Sequence, residues 1–127
     1  MIYGIGVDIV KIERIRNNIQ RFGERFAQRL LTEAELAEYR ILRQPERFLA
    51  KRFAAKEAVV KAMGTGFREG LAFHLIGITH DVLGKPGLVY SGPALNWIRA
   101  NGVTDSLLSL SDEQDYAVAF VILLTSG

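Results

Sequence analysis

Cysteine is absent from the 127 residues, which removes disulfides, thiolate metal sites and thiol nucleophiles together and leaves the redox compartment open. Histidine is scarce. His74 and His80 lie six apart in a strand-like stretch, which puts them on one side of a sheet, but no third ligand is suitably spaced and zinc is not expected. Ser91, Ser109 and Ser111 have no base at an indicative spacing, so a serine hydrolase has no support. The longest apolar run, Tyr116 to Thr125, is about half of what a membrane-spanning helix needs, and the start lacks the basic region and small-residue cleavage site of a signal peptide. The expectation is a cytoplasmic enzyme or binding protein. No internal repeat, linker or low-complexity tract appears, so residues 1–127 read as one domain, large enough to bury a core without staples.

The net charge is only +2, but its distribution is uneven. Lys11 to Arg52 holds eleven of the sixteen basic residues against six acids. A bias of this kind steers nucleic acid, anionic lipid or an acidic protein equally well. No RNA- or DNA-binding motif accompanies it.

Ile2 to Val7 is too apolar and glycine-punctuated for a surface strand, and Ile12, Ile15, Ile19 and Phe22 then recur at helical spacing. A short helix follows around Phe26 to Leu31. Thr32 and Glu35 form a capping-box pattern that opens a third helix through Leu36, Tyr39 and Leu42. Pro45, as a first-turn proline, leads a long helix from Glu46 to Met63, and Gly64 is its natural stop. Beyond Gly70 the texture turns to strands. Phe73 to Thr79 and Leu88 to Tyr90 form a hairpin around Asp81 to Gly87; a short helix runs from Pro93 to Asn101; Ser106 to Ser111 and Tyr116 to Leu124 make a last pair. The final strand is apolar on both faces and needs cover on each, a helix on one side and a partner subunit on the other. The fold class is α+β, with helices crowded early and strands late.

The chemistry centres on Asp8, at the end of the first strand, and on the run from Arg52 to Gly66. Glu57 and Lys61 are four apart and share a helix face, while Arg52 and Lys56 form a second such pair around the side. A carboxylate opposite a Glu/Lys helix suits a divalent ion shared with a phosphorylated ligand, because magnesium uses few protein carboxylates and completes its shell from phosphate and water. Gly64-Thr65-Gly66 allows backbone amides to approach an anion, but it closes a helix, where the dipole disfavours anions, and it lacks the P-loop pattern. A bound phosphate would therefore depend chiefly on lysine, arginine and metal. Gly84-Lys85-Pro86-Gly87 reads as a turn first and a ligand contact second.

Taken together, Gly4-Ile5-Gly6-Val7-Asp8-Ile9-Val10, Phe48-Leu49-Ala50-Lys51-Arg52-Phe53-Ala54-Ala55-Lys56-Glu57-Ala58, Lys61-Ala62-Met63-Gly64-Thr65-Gly66, Gly84-Lys85-Pro86 and the closing Ser109-x-Ser-Asp-x-x-x-Tyr-Ala-x-Ala pattern resemble the AcpS-type 4′-phosphopantetheinyl transferases over the whole length. The resemblance implies an antiparallel sheet wrapped by a long helix and a homotrimer with active sites between subunits. It implies magnesium-dependent transfer of 4′-phosphopantetheine from coenzyme A to a serine of apo acyl carrier protein, releasing adenosine 3′,5′-bisphosphate. A non-catalytic coenzyme A or carrier-protein binding module of the same fold is the alternative. By the same resemblance, Asp8 and Glu57 are the metal carboxylates and Lys61 the lysine beside the pyrophosphate, these three being catalytic. Arg52, Lys56, Gly64, Thr65 and Gly66, with Lys85 and Pro86 of a neighbouring subunit, fall near coenzyme A. Arg14, Arg25, Phe26 and Arg29 fall in the region that docks the acidic carrier. Leu107 stands where many members of the family carry a histidine.

Overall fold

In a computed structural model that describes residues 1–68 and 70–127, eleven elements follow one another. They are β1 (Ile2–Lys11), α1 (Ile12–Phe22), α2 (Glu24–Leu30), α3 (Glu33–Arg40), α4 (Glu46–Met63), a single 3-10 turn (Phe73–Leu75), β2 (Ile76–His80), β3 (Pro86–Tyr90), α5 (Gly92–Ala100), β4 (Val103–Asp112) and β5 (Tyr116–Thr125). β1, β5 and β4 form an antiparallel sheet in that order, and β2 pairs with β3 as a separate antiparallel hairpin. The class is α+β, as the order of helical and strand-like segments implies.

β1 runs four residues beyond its expected end at Val7 and, though read as too apolar for a surface strand, has one face open. Gly4, Gly6, Asp8 and Val10 point inward, whereas Ile5, Val7 and Ile9 stay largely exposed. The inward glycines answer to space and not to backbone torsion. A Cβ at Gly4 would lie 2.1 Å from the Ala62 carbonyl oxygen, and one at Gly6 only 1.9 Å from that of Ala58. With no side chains between them, α4 lies directly on the strand. β5 alternates in the same manner, with Ala117, Ala119, Val121 and Leu123 fully buried beneath α4 and Phe120 facing out. Small residues on the strand and on the helix (Ala54, Ala55, Ala58, Ala62) therefore set a short helix-to-sheet distance.

Other boundaries also shift from the pattern reading: β4 begins at Val103 and not Ser106, β3 at Pro86 and not Leu88, and α3 ends at Arg40. Phe73 to Leu75 turns instead of extending: Phe73 stacks on Phe53 and Phe67, with ring centroids 5.6 and 4.0 Å away, and the Leu75 amide donates back to Ala72. That aromatic cluster outweighs the local strand preference. α4 spans Glu46–Met63 as expected, with Pro45 at its N-cap accepting from the Leu49 amide. The capping box does form, with the Glu35 amide donating to Thr32 Oγ1 and the Thr32 amide to Glu35 Oε1. Gly64 ends α4 in the left-handed region, at φ 80°.

Candidate active site

Asp8 reaches the α4 side of the sheet because β1 alternates and the two preceding inward positions are glycines. There it meets Lys61, whose Nζ donates to Asp8 Oδ1 at 2.9 Å and to the Val7 carbonyl at 3.1 Å. The Asp8 side chain is mostly covered, while half of Lys61 is open to solvent. Glu57, one turn back on α4, is half-buried beside them. Its pKa is raised, first by desolvation and next by the Asp8 carboxylate, with Lys61 and Arg14 pulling the other way. Two carboxylates that repel each other on a rim open to solvent, with the Lys61 ammonium bound to Asp8, make a site that a further cation would stabilise. Among the described residues no group of three or more histidines, cysteines or acids gathers anywhere. A hard divalent ion suits the Asp8–Glu57 pair, since it would take its other oxygens from phosphate and water.

The second pair on α4 is placed otherwise. Arg52 and Lys56 turn inward and converge on Glu35, which is 2% exposed. Lys56, wholly buried, donates from Nζ to Glu35 Oε1 and to the Leu30 carbonyl, each at 2.6 Å. Arg52 donates to Glu35 Oε2 at 3.2 Å, to the Ile78 carbonyl at 2.8 Å and to Glu38 at 3.3 Å, with its guanidinium 4.6 Å above the Phe48 ring. Burial lowers the Lys56 pKa to about 8, and Glu35 opposes that shift. Arg52 also forms part of the wall of a cavity of about 650 Å³, with Phe48, Lys51, His80, Gly84 and Pro86. Asp8, Glu57 and Lys61 do not line it.

Gly64 and Gly66 both hold positive φ, and a Cβ at either would meet nothing within 4 Å; conformation, not space, calls for glycine there. Thr65 between them donates its hydroxyl to the Gly66 carbonyl. Lys85 follows a tight loop in which Asp81 Oδ1 accepts from the Leu83 and Lys85 amides, so Pro86 begins β3 from a fixed turn. Arg25, Phe26 and Arg29 line one shallow hollow of about 270 Å³ with Asn18 and Phe22. Arg14 stands apart from them, its guanidinium 5.2 Å over the Phe53 ring. Leu107 lies on the outward sheet face, paired with Ile122.

Sequence reasoning missed Glu35 as anything but a helix cap. Its partners Arg52, Lys56 and Ile78 lie 17, 21 and 43 residues away, beyond the reach of any local pattern.

Residues 4–121 match the family model of the 4′-phosphopantetheinyl transferase superfamily, and the chain belongs to that superfamily. Its similarity within the superfamily is specific. A holo-[acyl-carrier-protein] synthase of Halorhodospira halophila is 51% identical over 125 residues, covering 98% of this chain and 99% of the relative. The crystal structure of the Neisseria meningitidis holo-[acyl-carrier-protein] synthase superposes with a TM-score of 0.92 at 51% identity, over 98% of this chain and all of that one. A synthase from Bacillus anthracis, solved in complex with coenzyme A (3′,5′-ADP), gives a TM-score of 0.83 at 37% identity over 99% of each chain.

Proposed function

We propose that the protein is a holo-[acyl-carrier-protein] synthase, which transfers 4′-phosphopantetheine from coenzyme A to a serine of apo acyl carrier protein. The observation that carries this reading is the meeting of Asp8, Glu57 and Lys61: the Lys61–Asp8 bond spans 53 residues of sequence. Asp8 and Glu57 would hold magnesium, which when bound supplies charge neutralisation on the coenzyme A diphosphate. The serine oxygen forms a bond to the phosphorus that carries the pantetheine, and the bond from that phosphorus to the adenosine half breaks. Lys61 stabilises or protonates the departing phosphate oxygen, which leaves as adenosine 3′,5′-bisphosphate. Glu57 takes the serine proton. It would do so directly or through a metal-held water, from its half-buried place beside Asp8 and Lys61.

Coenzyme A would extend from this rim toward Gly64, Thr65 and Gly66 on one side and Arg52 on the other, with Lys85 and Pro86 contributed by a neighbouring subunit. Lys56, enclosed in its own chain, would support that wall from behind. A homotrimer is supported by the outward sheet face, where exposed Ile5, Val7, Ile9, Leu107 and Phe120 present a large apolar patch of the sort that marks interfaces. Arg25, Phe26 and Arg29, with Arg14 nearer the catalytic rim, would dock the acidic carrier. Arg14 is close enough to Glu57 to perturb it, so a carrier bound there would present its serine near the base. A cytoplasmic site of action goes with the coenzyme A substrate; no helix among the described residues is long and apolar enough to cross a membrane.

The test is an intact-mass measurement. Incubation with coenzyme A, magnesium and apo carrier should add one phosphopantetheine group to the carrier, and Asp8→Ala or Glu57→Ala should abolish the gain. Coenzyme A binding without any mass gain by the parent protein would identify the non-catalytic module instead. Unchanged turnover in both variants would reject the metal assignment.

A further inference from the structure

Glu35 receives four hydrogen bonds on two oxygens. Oε1 accepts from Lys56 and from the Thr32 amide, Oε2 from Arg52 and from the Ile78 amide at 3.0 Å. Through these donors one carboxylate ties together the start of α3, the middle of α4 and the strand β2, while Lys56 adds the last carbonyl of α2. A buried carboxylate with two cations is not needed to hold such elements together, since well-packed apolar residues serve at least as well. What it does that apolar packing does not is fix direction: each donor is held at one angle by a charged acceptor. The two parts it aligns, Arg52 and the β2–β3 hairpin, both line the cavity that also contains Phe48, the hairpin through His80, Gly84 and Pro86. Arg52 is also steadied by Glu38, but that carboxylate is mostly exposed and so is a weak anchor.

We propose that Glu35 is a positioning residue for coenzyme A binding, setting the angle of Arg52 toward the ligand of its own subunit and the placement of the hairpin that carries Pro86, with Lys85 before it, to the ligand of a neighbouring one. The inference rests on the reading of the protein as a coenzyme A-dependent transferase and adds a residue to it that touches no reacting atom. Because Glu35 acts on the binding wall and not on Asp8, Glu57 or Lys61, its loss should fall on coenzyme A affinity and spare the chemical step.

The experiment compares Glu35→Gln/Lys56→Met, in which the stranded lysine charge is removed with its partner, with Lys56→Met alone, which keeps the Glu35 bonds to Arg52 and the Ile78 amide, and with Glu38→Gln. In the double variant the KM for coenzyme A should rise about tenfold, as expected when a hydrogen bond to a charged group slackens, with kcat and the carrier KM within about twofold of the parent. Glu38→Gln should leave all three within about twofold. A folded double variant with unaltered coenzyme A KM, or a rise in Lys56→Met or Glu38→Gln as large as in the double variant, would overturn the assignment. A readout that needs no variant is hydrogen exchange at the Ile78 amide in the parent protein. Bound coenzyme A should slow it, because that amide donates to Glu35, and an unchanged rate counts against the proposal. Should the parent bind coenzyme A and transfer nothing, calorimetric affinities of the same variants still decide the role of Glu35, separately from the enzymatic reading.

Discussion

α4 carries two charged sets of similar composition on two of its faces, and they have opposite fates. On the face toward β1, Glu57 and Lys61 meet Asp8 at an open rim, where Lys61 bonds Asp8 and Glu57 stands half-buried beside them. On the face toward α3, Arg52 and Lys56 meet Glu35 in the interior, where every oxygen of the carboxylate is taken. A closed set of charges holds shape, and a set left short of a partner has something to offer a ligand. The helix thus separates a binding chemistry from its support by a fraction of a turn.

Removing one carboxylate from each face draws the contrast most sharply. Glu57→Gln should lower kcat by about 10³-fold, as charge stabilisation around the phosphates is worth several kcal/mol, with thermal unfolding little changed. Glu35→Ala should do the reverse first: two buried cations lose their partner, and chemical denaturation should show a loss of about 3–5 kcal/mol. If Glu57→Gln unfolds the protein, or Glu35→Ala leaves its stability intact, the division of labour fails.

Arg14 probes the boundary of the open set. Arg14→Glu should raise the KM for the carrier about tenfold and leave that for coenzyme A nearly unaltered, because a reversed charge opposes an acidic partner at close range. The effect should shrink at high salt, with screening over roughly 8 to 10 Å. Equal changes in both constants would place Arg14 with coenzyme A.

The smallest effect concerns pH. The Glu57 pKa is raised in the folded protein, so the fold binds the Glu57 proton more tightly than the unfolded chain does. The resulting contribution to stability is full below the ordinary carboxylate range and disappears as pH rises through the raised value. Glu57→Gln should accordingly gain slightly on the parent in denaturation midpoint from acid to neutral pH. A parent that gains on the variant over that range would contradict the upward shift that burial, and next the Asp8 carboxylate, gives Glu57.

Much of the open face was legible in the sequence. Asp8 follows two glycines in an alternating strand, and Glu57 and Lys61 show the four-residue spacing of one helix face. The family resemblance then pairs the two segments, and the Lys61–Asp8 hydrogen bond joins them in the fold. The closed face was legible only in pieces. Spacing put Arg52 and Lys56 side by side, and capping explained Glu35, but nothing local indicates that the three meet or that they lie inside. The same limit applies to β1, read as too apolar for a surface strand: Ile5, Val7 and Ile9 stay exposed, and an apolar run does not by itself say which of its faces the rest of the chain covers. Phe73 failed for a related reason, since its stacking partners lie outside any strand-length window.

Gly4 and Gly6 leave a final consequence. They act as missing shims: the carbonyls of Ala62 and Ala58 occupy the places where methyl groups would sit, so the clearance between strand and helix has no slack to take up. Asp8 is carried on the same strand two residues further along, and any thickening at either glycine would tilt its carboxylate out of line with Glu57. An assay would then report an enzyme defective in catalysis although every reactive group remained, which makes these two positions a means of detuning the site mechanically.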